Sequence, residues 1–174
     1  MEALLPFDEQ FFDGKRALVV TAHPDDESFL MAGVIHRIVA TGGVVWLLCA
    51  TAGEQGRAYV AEELHTTLGE LRQNELQNAV SILGVNQFRM LGMPDGRVRE
   101  HVAPLTDTCL QVIDEMLPNV VLSFNADGFT GHSDHVVVHD AARAACMSAG
   151  VPFAKVCMPP APWCNEIKAI LERK

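Results

Sequence analysis

The stretch Ala17-Leu18-Val19-Val20-Thr21-Ala22-His23-Pro24-Asp25-Asp26-Glu27 decides how this chain folds. Its first four residues have the apolar, β-branched character of a strand buried on both faces. Ser28 to Ala40 has the pattern of a helix, so residues 21–27 read as a strand-to-helix turn. In an open parallel sheet such a turn lies at the carboxyl edge, where these folds bind ligands. His23 and Asp26 stand close enough in sequence to hold one metal ion from a single turn, an imidazole nitrogen and a carboxylate oxygen both being ordinary zinc donors. Asp25 is left beside them. Acids in the first turn of a helix also occur without any chemistry, because each complements the macrodipole by about 0.3–1 kcal/mol, and proline suits a helix start. That accounts for Pro24 and the three acids but not for His23. Three adjacent carboxylates, moreover, repel one another unless a cation or a shifted proton relieves them.

A second cluster, Gly131-His132-Ser133-Asp134-His135, follows another apolar run, Val120-Val121-Leu122-Ser123-Phe124, and opens another helix. If the two strands lie side by side and parallel, both clusters meet at one edge of the sheet. The rest of the chain alternates in the same way. Strands are expected at Arg16 to Thr21, Val44 to Ala50, Gln87 to Leu91, from Val120, and at Phe153 to Met158. Helices are expected at Ser28 to Ala40, Thr67 to Leu83, Leu105 to Leu117 and His135 to Met147. On the second of these, Leu68, Leu71, Glu75, Leu76, Ala79 and Leu83 fall largely on one face. This is the pattern of a Rossmann-like α/β three-layer sandwich with a mainly parallel sheet, joined by right-handed crossovers.

With 174 residues, 49% of them hydrophobic, the chain has material for one compact domain over residues 1–174. The net charge of -9 and the lack of any basic run argue against nucleic acid and anionic membrane surfaces as main partners. A small neutral or cationic ligand fits better. No apolar stretch approaches the roughly 18–20 residues of a membrane span, and the acidic start at Glu2, Asp8 and Glu9 is unlike a signal peptide, so a cytoplasmic location is expected. Cys49, Cys109, Cys146, Cys157 and Cys164 are odd in number and widely spaced, which suggests core residues rather than a disulfide framework or a cysteine zinc site. A homo-oligomer remains compatible with all of this.

Ala22-His23-Pro24-Asp25-Asp26-Glu27 together with His132-Ser133-Asp134-His135 resembles the paired signature of the LmbE-like family, also called PIG-L or N-acetylglucosaminyl-phosphatidylinositol de-N-acetylase. Between them, Thr51-Ala52-Gly53-Glu54-Gln55-Gly56 resembles the family's glycine-rich loop, Arg72 and Glu75 sit in its following helix, and Leu91 to Gly96 resembles its Leu-x-x-Pro-Asp-Gly turn. The matches run in order from about Lys15 to about His139. Members of the family usually continue for several more elements, so the tail after Met158-Pro159-Pro160-Ala161-Pro162 marks a short or truncated C-terminus.

A catalytic zinc takes three protein ligands and keeps a position for water, whose pKa it lowers toward about 7. By position and by resemblance, His23, Asp26 and His135 are the expected ligands of Zn2+ or another divalent metal. Asp25 becomes the candidate general base for the metal-bound water. His132 is placed to assist with charge or with the leaving amine's proton, and Asp134 to orient it. The resemblance implies hydrolytic removal of the N-acetyl group from an N-acetylglucosamine-type sugar or a related amide, with Glu54, Arg57 and Asp95 as candidate substrate contacts. Two alternatives remain: a metal-dependent amidase of a thiol conjugate, and a metal-binding short form without turnover. His139, four residues after His135, reads as packing or support for the site rather than as a ligand. Glu27 is an alternative ligand or base. His36, His65 and His101 have no convincing partner in sequence.

Overall fold

The computed structural model describes residues 9–56 and 67–156. Five parallel strands form one sheet in the order β3-β2-β1-β4-β5: β1 (Arg16–Thr21), β2 (Val44–Thr51), β3 (Gln87–Met93), β4 (Val120–Phe124) and β5 (Phe153–Val156). The first strand is central, with Leu18 opposite both Trp46 of β2 and Val121 of β4. The strand order reverses between β1 and β4, so their carboxyl ends border the crevice where open α/β sheets take ligands.

The apolar runs form these strands because both faces are covered. Ala17, Leu18, Val19 and Val20 are wholly buried, as are Val120, Val121 and Phe124. Right-handed crossovers carry α1 (Ala32–Ala40) and α2 (Leu68–Leu83) to one face and α3 (Val102–Met116) and α5 (Ser133–Ala149) to the other, where α3 packs on α5. A single turn, α4 (Gly128–Gly131), lies between β4 and α5. Thr67 caps α2 through a capping box with Glu70, which accounts for a helix starting one residue later than its periodicity alone suggests.

The helix expected from Ser28 begins differently. The Asp25 carbonyl accepts the N–H groups of both Ser28 and Phe29, at 3.0 and 2.8 Å, and residues Glu27–Met31 form a π-helical turn before α1 proper. Such insertions gather at functional sites because they re-aim the chain. On α2 the buried residues are Leu76 and Val80, while Glu75 is exposed, so the helix buries a narrower stripe than its hydrophobic spacing suggests. Other strand and helix ends move by one to three residues, and His101 lies in a 3-10 turn, Val98–His101, leading into α3. Phe12 packs on the core, while Phe7, His65, Cys157, Cys164 and the part of the expected last strand beyond Val156 lie outside the described residues. Among the described residues no helix is long and apolar enough to cross a membrane.

Cys49, Cys109 and Cys146 are buried and unpaired by disulfide. Burial pushes the Cys49 and Cys109 thiols up to about 12 and that of Cys146 up to about 11. Their thiolate fraction at pH 8 is therefore negligible, so iodoacetamide should label these three more than about 100-fold more slowly in the native protein than in denaturant. Peptide mapping by mass spectrometry checks this; fast native labelling of Cys49 would contradict it.

Candidate active site

Four strand ends supply the site. The turn after β1 brings His23, Asp25 and Asp26; the loop after β2 brings Gly53 to Gly56; the turn after β3 brings Asp95 and Gly96; and, beyond β4, the N-cap and first turn of α5 bring His132, Asp134 and His135. They surround an open cavity of about 290 Å³ whose lining includes His23, Asp25, Asp26, Arg72, His132 and His135.

His23 occupies the centre, with different company at its two nitrogens. Nδ1 lies 3.2 Å from His135 Nε2 and 3.7 Å from Asp26 Oδ2, and Asp26 Oδ1 is 3.3 Å from His135 Nε2. Nε2 lies 3.0 Å from Asp95 Oδ1 and 3.4 Å from Asp134 Oδ2. Neither contact is aligned as a hydrogen bond, so among the described residues this buried nitrogen has close carboxylates but no hydrogen-bond partner. Two flanking acids favour a proton on Nε2, which leaves the Nδ1 lone pair facing His135 and Asp26.

Each neighbour is held by backbone. The Asp26 carboxylate accepts the N–H groups of His23 at 2.8 Å and Ala22 at 3.2 Å. His135 Nδ1 donates to the Gly128 carbonyl at 2.9 Å, and its ring stacks on Phe124 with centroids 4.0 Å apart. This leaves Nε2 as the unprotonated nitrogen, aimed at His23 and Asp26. Burial lowers the His135 pKa, with the Gly128 bond acting the other way, and so favours the neutral, ligating form.

The arrangement suits a cation. Ligand atoms around a tetrahedral ion with bonds of about 2.0–2.1 Å stand roughly 3.3–3.4 Å apart. The separations of 3.2, 3.3 and 3.7 Å among His23, His135 and Asp26 bracket that edge. Two other trios, His23 with His132 and His135, and His23 with Asp95 and Asp134, also bring ligand atoms within 4.8 Å of one another. The second gathers on the Nε2 side of His23, away from His135, and its acids, like Asp26, also accept backbone N–H groups. Asp134 accepts the N–H groups of Gly96 at 2.7 Å and Val98 at 3.3 Å. Asp95 accepts that of Gln55 at 2.9 Å.

Burial pushes the Asp26 carboxyl up to about 6, outweighing the two backbone donors that pull it down. A carboxyl raised in the folded state from 3.8 stabilises the protein only while protonated. In chelator, the stability of the wild type relative to Asp26→Asn should therefore fall as pH rises from about 4 to about 6 and then level off. Thermal melts across that range measure it, and parallel pH profiles for the two proteins would contradict it.

The remaining candidates are distributed unevenly. Exposed His132 caps α5, its Nδ1 accepting the Asp134 backbone N–H at 3.2 Å, and its ring centroid is 4.8 Å from that of His23. The Asp134 carboxylate reaches the 96–98 backbone and His23, so its recorded contacts differ from the orienting bond to His132 expected from sequence. Glu54 accepts the Asp95 N–H at 2.8 Å, tying the second loop to the third. His139 donates to the Phe124 carbonyl at 2.8 Å and packs edge-on to Phe153, behind the His135 stack. His36 is exposed. Arg57, with Tyr59, lies outside the described residues. Sequence reasoning missed the roles of Phe124 and Gly128 in holding His135, and the Asp95 contact to His23. None has a local signal, because each depends on how separate strand ends meet.

The family model for GlcNAc-PI de-N-acetylase, PIG-L, matches residues 18–146. A 1D-myo-inositol 2-acetamido-2-deoxy-alpha-D-glucopyranoside deacetylase of Nocardiopsis dassonvillei is 35% identical over 170 residues, covering 84% of this chain and 58% of its own length. Among solved structures, the A40926 pseudoaglycone deacetylase Dbv21 superimposes with a TM-score of 0.68 at 25% identity, covering 81% of this chain and 62% of its own. The 4-carboxy-2-hydroxymuconate hydratase GalB of Pseudomonas putida superimposes with a TM-score of 0.67 at 24% identity, covering 84% of this chain and 63% of its own; that likeness concerns the fold alone. The chain thus spans less than two thirds of the length of these three proteins. Because the family match takes in most of the chain, from β1 through α5 and with both histidine clusters, this chain belongs to the PIG-L, GlcNAc-PI de-N-acetylase, family.

Proposed function

We propose that this chain carries the hydrolytic centre of a metal-dependent de-N-acetylase acting on an N-acetylglucosamine-type sugar. The convergence of His23 Nδ1, His135 Nε2 and the Asp26 carboxylate within 3.2–3.7 Å of one another, on the cavity that Asp25 also lines, carries this reading. These three residues would hold the ion, and their two-nitrogen, one-oxygen donor set suits zinc while admitting other divalent metals. When bound, zinc supplies Lewis-acid polarisation and lowers the pKa of the water it coordinates.

The chain's own groups do the rest. Asp25 accepts a proton from the attacking water as its oxygen bonds to the amide carbonyl carbon. Nδ1 of His132 is an acceptor in the α5 cap, so the neutral ring carries its proton on Nε2 and serves as a hydrogen-bond donor to the developing oxyanion. Of the two roles open to His132 from sequence, charge stabilisation is therefore favoured. The proton taken by Asp25 passes to the amine nitrogen as the C–N bond breaks, giving acetate and a free amine. Asp134 holds the third loop against His23 rather than acting on substrate. Asp95, which lines the cavity, and Glu54, which holds the Asp95 backbone, are assigned to the sugar, whose hydroxyls polar groups at a pocket rim can select, and Arg57 keeps that assignment from sequence alone.

Acetate release is the test. Zinc-loaded protein should release acetate from acetamido sugars and lose that activity in chelator. A panel including bulkier amides and thiol conjugates separates the de-N-acetylase from a related amidase. No hydrolysis of any amide by stoichiometrically loaded protein would leave a metal-binding form without turnover.

A further inference from the structure

We propose that Glu27 and Arg72 act as a pair of positioning residues that clamp Asp25 from its two ends, Glu27 through the backbone and Arg72 through the carboxylate. The proposal rests on the reading of Asp25 as general base, although the clamp itself can be tested without turnover.

Asp25 needs such support. Its φ of 105° lies in a region that side-chain-bearing residues rarely adopt. Backbone strain of this kind persists only where the surroundings over-determine it. Asp25 is also exposed, so packing alone does not hold it.

The first jaw is Glu27. Acids at a helix start ordinarily point into solvent, yet Glu27 is 1% exposed. Its Oε2 accepts the Asp25 N–H at 3.1 Å, and its Oε1 accepts the Ser28 hydroxyl at 2.6 Å. Glu27 is the first residue of the π-helical turn and is buried there. A macrodipole contribution does not require burial of the carboxylate, whereas fixing the Asp25 amide does.

The second jaw comes from α2. Arg72 Nη2 donates to Asp25 Oδ2 at 2.7 Å and to the Pro24 carbonyl, while Nη1 donates to the Gly53 carbonyl at 2.8 Å. One guanidinium thus joins the exits of β1 and β2, a fork that lysine, with its single ammonium, cannot reproduce. Gly53 makes the approach feasible: its φ is +66°, and a Cβ there would lie 2.0 Å from Arg72 Nη1. With Oδ2 bonded to Arg72, Oδ1 is the oxygen assigned to proton transfer.

The experiment combines exchange and kinetics on the full zinc-loaded chain. In the wild type the Asp25 amide should exchange at least about 10-fold more slowly than an unprotected amide, and Glu27→Met should abolish that protection. Glu27→Gln keeps a carbonyl acceptor and should keep the protection. With an acetamido sugar, Glu27→Met and Arg72→Met should lower kcat by about 10-fold or more, with KM changed less than about 3-fold and zinc content unaltered. Glu27→Gln should recover most of the lost kcat, and Arg72→Lys little. In an Asp25→Asn background neither Met variant should lower kcat further. An unprotected Asp25 amide in the wild type overturns the clamp, as does an undiminished Met effect in that background. Should Asp25→Asn itself retain full turnover, the base reading fails, while amide protection still decides for or against the clamp.

Discussion

Zinc binding and turnover are expected to disappear together in His23→Ala. The ring of His23 faces both halves of the site, with His135 and Asp26 on one nitrogen and Asp95 and Asp134 on the other. Its removal takes away one of three proposed ligands. It also leaves three buried acids without the imidazole between them. The loss of zinc affinity should exceed the roughly 10–100-fold typical of losing a partner that only supports a ligand. Competition with a chromophoric chelator and elemental analysis measure it, and circular dichroism verifies that the sheet remains. A folded His23→Ala protein that still carried one zinc per chain would remove His23 from the ligand set.

Asp25→Asn should separate the two properties. Asparagine tolerates positive φ at least as well as aspartate, and its amide oxygen can still accept from Arg72. The turn and the zinc should both survive. Only proton acceptance is lost, so kcat should drop by about 10²- to 10⁴-fold with little change in KM. Acetate release at matched zinc occupancy is the measurement. Wild-type turnover in Asp25→Asn would remove the base assignment while leaving the metal site standing.

These two substitutions matter because the fold alone does not settle chemistry. The same architecture is found in a named deacetylase and in a named hydratase. What a protein does within a shared fold depends on the groups at its site. Here those groups are a buried, two-histidine, one-carboxylate cluster and an exposed acid beside it.

Much of the architecture was legible along the chain. Arg16–Thr21 reads as a strand because a parallel strand covered on both faces is uniformly apolar, and it is one. Alternation of such runs with amphipathic ones sets a parallel sheet, and two histidine clusters each following a strand place the candidate ligands at its carboxyl edge. These are local properties, written in spacing and hydrophobicity. Tertiary structure decided the rest. It set β4 beside β1, so that His23 and His135 stand 3.2 Å apart although 112 residues separate them. It turned Glu27 inward beneath Asp25, laid Arg72 across two loops and put Phe124 under the His135 ring. No local pattern announces these contacts: Arg72 and Phe124 meet their partners across elements far apart in sequence, and Glu27 turns inward through a π-helical turn that hydrophobic spacing does not mark. Their geometry exists only once burial of the apolar strands has fixed the sheet order.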